Sequence, residues 1–307
     1  MTAVAPQALR RIGILEMASP DADRLGHWDI FKRALRELGH VEGQDIAFEF
    51  RWAEGRPERV ASAAASLVRA NVDVIVTAGT PAAAAAIRAT ADIAIIMATG
   101  VALGTQLTGG AHKTHDNVTG ISDLPPGLSA RRIQLLREAL GRGAPLAILA
   151  DRTNPSSPLA VRETHEAARA LGNEVRDYWL EGPDQLNVSL LAMKNGGIGG
   201  FVIAPGAMFF AIRRELASLA RELRLASMAV RREYAEAGCL MAYGAPLREN
   251  YRRAAIYVSR VLNGTKPADL AVDEPTEFEF IVNLTTAKAI GLAVPQSLLA
   301  AAEIIEL

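Results

Sequence analysis

The run Ala78-Gly79-Thr80-Pro81 carries the sharpest chemical signal in the sequence. Glycine lets a backbone approach a ligand closely, and proline suits the first turn of a helix. Free N–H groups at a helix start favour a carboxylate or other anion, and the Thr80 hydroxyl can add a further contact. The same residues also read as an ordinary helix N-cap, and the two roles coexist. Trp52 ends the strand expected at 45–52 and can stack on a flat ligand, the plainer role being interdomain packing. Phe209, Tyr234 and Tyr243 are weaker versions of that idea, whereas the position of Phe210 within a helix points to core. Arg152 and Arg231 suit bidentate carboxylate recognition, with surface ion pairs as the alternative. Glu233 could pair with such an arginine or bind a hydroxyl. Asp151 and Asn154 could bond polar ligand groups, although Asn154-Pro155 is also a plain turn signal.

Other motifs fail on context. His112 and His115 have metal-like spacing but lie in a polar loop, which points away from a metal site. Gly196-Gly197-Ile198-Gly199-Gly200 precedes a strand, whereas a dinucleotide fingerprint follows one. Cys239, the single cysteine, sits in no nucleophile motif and reads as a small apolar filler. Asn117-Val118-Thr119 and Asn283-Leu284-Thr285 match a glycosylation pattern at chance frequency. There is no phosphate loop of the P-loop type, and no cofactor is implied.

Short apolar runs alternate with amphipathic helical ones. Strands are expected at 11–17, 45–52, 72–77 and 93–98, with helices at 25–38, 57–70 and 81–90 between them. Val72–Thr77 is continuously apolar, as in a strand buried on both faces of a parallel sheet. After a Gly- and Thr-rich stretch at 100–116, Leu124-Pro125-Pro126-Gly127 punctuates the chain. The alternation then restarts: helices at 128–140, 158–171, 184–195 and 209–223, strands at 146–150, 174–180, 200–204, 226–230 and 240–243. A helix at 247–262, a strand at 277–283 and two short helices complete the chain. This is an α/β pattern of two Rossmann-like domains with parallel sheets. The tail is too small for a third domain and must pack back on the other two. The expected division is therefore 10–121 plus 244–276 and 122–243 plus 277–307, joined by a multi-strand hinge.

In parallel α/β sheets, ligands sit at the carboxyl ends of strands. That rule selects loops carrying Met17, Trp52, Gly79, Thr80 and Thr99 in the first half. In the second half it selects Arg152, Asn154, Gly206, Phe209, Arg231, Glu233, Tyr234 and Tyr243.

The bulk properties narrow the class. The 307 residues are half hydrophobic, with 33 basic and 34 acidic side chains and a net charge of −1. This balance offers no electrostatic footprint for nucleic acid or an anionic membrane. No stretch approaches the roughly 20 apolar residues of a membrane span. One cysteine allows no internal disulfide. Met1–Arg10 lacks the apolar core of a secretion signal.

Several segments in order resemble the ABC-transporter substrate-binding family that includes tryptophan/tyrosine-type receptors. They are Arg11-Ile12-Gly13-Ile14-Leu15, Leu38-Gly39-His40-Val41-Glu42-Gly43, Phe50-Arg51-Trp52-Ala53-Glu54-Gly55 and Val72 through Ala83. Asn117-Val118-Thr119-Gly120, Glu236-Ala237-Gly238 and Asn283 through Leu292 complete the set. The resemblance implies a type I periplasmic-binding-protein fold, a small ligand held between two closing lobes, a membrane permease as partner and a periplasmic location. It implies no catalysis. Amino-acid-binding members resemble one another in an Asp where this chain has Gly206, and often in Asp-Pro where it has Ala98-Thr99-Gly100-Val101. A buried ammonium needs a charge partner, so the expected ligand is neutral or anionic, an aromatic carboxylate among the candidates. Two other classes stay open: a cytoplasmic small-molecule sensor domain, and a double-Rossmann enzyme using the same cleft.

Overall fold

The computed structural model describes residues 9–100, 116–123, 125, 127–141 and 143–307. Two units emerge, 1–124 with 247–275 and 125–246 with 276–307. In chain order the first unit contains β1 (Arg10–Glu16), α1 (Ala22–Glu37), β2 (Ile46–Trp52), α2 (Pro57–Arg69), β3 (Val74–Ala78), α3 (Thr80–Ala89), β4 (Ala94–Thr99) and β5 (Val118–Gly120). Its sheet runs β2-β1-β3-β4-β5, parallel throughout. The order follows from composition. β3 and β4 are buried along their whole length, while β2, with charged residues at alternate positions, is the half-buried edge. β5 joins the sheet through a glycine that nothing else can replace. Gly120 has φ +125°, and a Cβ there would lie 2.3 Å from the Met97 carbonyl oxygen.

The second unit contains α4 (Leu128–Leu140), β6 (Leu146–Asp151), α5 (Ser157–Ala170), β7 (Val175–Leu180), α6 (Leu186–Asn195), β8 (Gly200–Ile203), α7 (Ala207–Ala211), α8 (Arg213–Glu222), β9 (Ala226–Ala229), α9 (Arg232–Glu236) and β10 (Met241–Gly244). The chain then returns to the first unit as α10 (Leu247–Leu262), which packs on α1 and β4. Tyr251 of α10 meets Trp28 of α1 edge-to-face, with ring centroids 4.8 Å apart. The tail closes the second unit with β11 (Glu279–Asn283), α11 (Leu284–Ile290), α12 (Gln296–Ala301) and β12 (Glu303–Ile305). Its sheet runs β12-β11-β10-β9-β8-β6-β7.

Three features depart from the sequence expectation. The second sheet is not wholly parallel: β11 runs antiparallel to β10, with Gly244 opposite Glu279. The chain leaves at the end of β10 and re-enters beside it after α10, so β11 must run back. Residues 303–305 form a strand against β11 that the sequence pattern did not announce. The helix expected at 209–223 breaks at Ile212 into α7 and α8. There the Arg213 guanidinium donates to the Phe210 carbonyl at 2.8 Å and lies 4.4 Å from that ring's centre. A side chain thus takes a carbonyl that a continuous helix would use.

Candidate functional site

Each sheet presents a set of polar groups at the carboxyl ends of its parallel strands. In the first unit, β3 and β4 end side by side and the Gly79 N–H is shared between the Thr99 hydroxyl at 2.9 Å and the Thr99 carbonyl at 3.1 Å. This fixes Gly79 at φ +96°, just ahead of α3. Thr80 opens the helix and is buried, and Pro81 supplies no N–H. Met17 closes over Gly79, its Cγ 3.7 Å from where a Cβ would stand. The Met17 carbonyl accepts from Gly55 N–H at 2.6 Å, which ties the ends of β1 and β2 together. Met17, Gly79, Thr80 and Thr99 are therefore neighbours around one helix N-terminus, an arrangement suited to an anionic group.

Beneath them lies a buried polar cluster that sequence reasoning missed. Glu16, 1% exposed, accepts from Ala18 N–H at 3.1 Å and from the Tyr251 hydroxyl at 3.4 Å. Arg24 Nη1 stands 3.9 Å from Glu16 and 3.3 Å from the Tyr251 hydroxyl. The cluster anchors the Met17–Ala18 turn to α1 and α10. Its sequence signal was a lone acid directly after the apolar run Ile12–Leu15. Trp52 pairs in register with Glu16 and stacks on Phe50, centroids 5.7 Å apart and nearly parallel. Trp52 thus ends an aromatic row that runs back through Phe50 to Trp28.

In the second unit the β6–α5 loop is held by Asn154. Its Nδ2 donates to the Pro205 carbonyl at 2.8 Å, and its Oδ1 accepts from Ser156 N–H at 3.1 Å and Ser156 Oγ at 2.9 Å. Asp151, 4% exposed, accepts from Thr153 N–H at 2.8 Å and Thr153 Oγ1 at 2.7 Å, both on Oδ1. Burial pushes its carboxyl above the ordinary aspartate range, outweighing those bonds. Gly206 lies beside both residues: a Cβ there would be 3.6 Å from Asn154 Nδ2, 3.7 Å from Asp151 Oδ2 and 3.7 Å from Phe209 Cδ2.

The whole chain has a counterpart among known families. Residues 11–305 match the family described as ABC transporter substrate binding protein. The chain belongs to this substrate-binding family. The tyrosine-binding protein of Clostridioides difficile is 24% identical over 286 residues, covering 92% of this chain and 81% of that protein. A Streptococcus pneumoniae ABC domain solved with L-Trp superposes with a TM-score of 0.87 at 22% identity, covering 97% of this chain and 100% of that one. A conserved domain protein from Vibrio cholerae gives 0.84 at 20%, covering 96% and 99%. These likenesses carry the type I periplasmic-binding fold. Family membership brings a small-molecule ligand and a transporter partner, and no helix among the described residues is long and apolar enough to cross a membrane.

Within this substrate-binding chain the remaining candidates scatter. Arg152 is exposed, lying 5.2 Å from the Trp179 ring centre and 3.6 Å from Glu181. Phe209 is wholly buried, and Tyr234, also buried, meets Phe210 edge-to-face at 5.8 Å. Arg231 stands at the N-cap position of α9 in extended conformation, and the first turn of that helix holds Glu233. Tyr243 stacks on Phe278 at 5.9 Å, and its carbonyl accepts from the buried Arg132 at 2.9 Å. Nothing in the sequence pattern singled out Arg132, an arginine within an amphipathic helix. His112 and His115 lie outside the described residues, as do Val101 and Ala102 of the loop after β4. Cys239 is buried, and desolvation pushes its thiol up to about 12.

Proposed function

We propose that the chain is the periplasmic solute receptor of an ABC importer and captures a small carboxylate-bearing molecule, neutral or anionic in net charge, for delivery to a permease. Aromatic carboxylates are the first class to test. The observation that carries the reading is the α3 N-terminus, where Gly79 is locked by Thr99 and flanked by buried Thr80 and Met17. Helix-start amides meet a carboxylate without needing a basic side chain. In the second unit Asn154, Gly206 and Asp151 are the proposed contacts for the polar remainder of the ligand, and Trp52 and Tyr243 the proposed aromatic surfaces. Capture would proceed by domain closure, a ligand favouring the closed state only through its differential contacts there.

A thermal-shift screen of purified protein against aromatic carboxylates, amino acids, nucleosides and sugars tests this. Binding to the native state raises the midpoint by mass action. A selective shift with carboxylates supports the reading. A selective shift with nucleosides or sugars alone overturns it. The Gly79 locus has its own check: Thr80→Ala should weaken binding of an acid more than of its neutral amide, and equal losses would move the carboxylate elsewhere.

A further inference from the structure

β2 is an edge of the first sheet, with β1 as its neighbour. Its odd-numbered residues aim their main-chain groups at β1. Ala53 N–H donates to the Glu16 carbonyl at 2.8 Å, and the Asp45 carbonyl accepts from Arg10 N–H at 2.8 Å. Alternate residues of a strand point their peptide groups to opposite sides, so the even-numbered ones aim theirs away from the sheet. Ile46 uses its outward carbonyl in the preceding turn, accepting from Gly43 N–H at 2.9 Å. Phe48, Phe50 and Trp52 follow, and their half-buried rings form one row on the side of α1. Glu49 and Arg51 alternate with them on the other face, where Arg51 Nε donates to Ser66 of α2 at 3.0 Å. A strand edge without proline is a template for pairing with another chain.

We propose that β2 pairs antiparallel with β2 of a second copy of this chain, about a two-fold axis through Phe50. In that register Phe50 stands opposite Phe50, and Phe48 stands opposite Trp52. All three outward residues then exchange N–H···O bonds across the axis, and aromatic rings meet on one face. On the other face Glu49 falls opposite Arg51 of the second copy, twice by symmetry. Slipping one copy by two residues in either direction sets Glu49 against Glu49 or Arg51 against Arg51. The charge pattern therefore admits one register and disfavours its neighbours. Arg51 must move to allow it: its Nη1 now donates to the Phe50 carbonyl at 2.8 Å and to Glu49 of its own strand at 3.3 Å. The pairing trades those bonds for Glu49 of the second copy. The junction is small, so the dimer is weak, with a dissociation constant on the order of 10–100 µM. The inference does not rest on what the receptor binds.

Sedimentation velocity of the full chain, from about 1 to about 500 µM to bracket that constant, tests the pairing. The wild type should pass from monomer to dimer across this range. Arg51→Glu and Glu49→Arg each set two like-charge pairs across the axis and should weaken the dimer at least about tenfold. Mixed in equal amounts, the two variants present arginines against glutamates at both positions. The mixture should form a heterodimer at least as tight as the wild-type dimer, a rescue that a merely structural role of either residue would not produce. Glu49→Arg also loses its bond from Arg11, at 2.7 Å, an exposed pair of small worth. The thermal midpoint of each variant alone checks folding; if Glu49→Arg fails to fold, the loss in Arg51→Glu decides. A wild type that stays monomeric throughout overturns the inference. So does a dimer that Arg51→Glu leaves unchanged, or a mixture of folded variants that stays monomeric.

Discussion

Asn154→Ala should destabilise the second unit before any ligand is considered. The side chain, 4% exposed, joins the end of β6 to the end of β8 and the start of α5. Truncation removes the bond to the Pro205 carbonyl and both bonds to Ser156. At a net worth of about 1 kcal/mol per bond, the loss is about 2–3 kcal/mol, the lower end applying if water reaches the half-buried Pro205 carbonyl. For a unit of roughly 150 residues this corresponds to about 4–12 °C in the midpoint. Ligand-free protein would be unfolded in urea and followed by circular dichroism, with scanning calorimetry to separate the units if they melt apart. A loss below about 0.5 kcal/mol would refute the claim that this amide network sets the loop. The same variant should weaken ligand binding, because the amide that fixes the Asp151–Ser156 turn against Pro205 is gone.

Gly79→Ala should cost about 1–3 kcal/mol from backbone strain alone, since φ is +96° and the nearest side chain, Met17, is at ordinary contact distance; unchanged thermal stability would show that the turn relaxes. Gly120→Ala should prevent native assembly of the first sheet, because its Cβ would meet Met97 backbone atoms at 2.3 and 2.5 Å; a soluble variant with native near-ultraviolet dichroism would contradict this. Trp52→Ala should leave the fold intact at a cost of about 1 kcal/mol for the lost stacking on Phe50, while lowering ligand affinity; unchanged affinity removes Trp52 from the site. Burial raises the Asp151 carboxyl above its ordinary 3.8, so its stabilising contribution is full below about pH 4 and is lost as pH rises through the raised folded value. Without ligand, Asp151→Asn should therefore match the wild type in acid and exceed it in stability above that window; parallel stability–pH curves would refute this.

The sequence by itself determined the α/β alternation and the family. Continuous apolar runs such as Val74–Ala78 and Ala94–Thr99 can be satisfied only inside a covered parallel sheet, and Gly79, Thr80 and Pro81 mark their own turn chemically. These are local properties, written in residues adjacent in the chain. The polarity of β11 was not local: it depends on where the chain re-enters after α10, which periodicity does not record. Nor was the strand at 303–305, three half-exposed or exposed residues that pair only because β11 offers an edge. The break at Ile212 depends on one guanidinium reaching back three residues to Phe210. The polar groups at the strand ends show the same division. Position 206, read alone, lacks an acid; the tertiary structure sets Asp151 of β6 against the space beside it. Burial and proximity across strands decide which charges share a space, and a sequence lists its charges without saying where they meet.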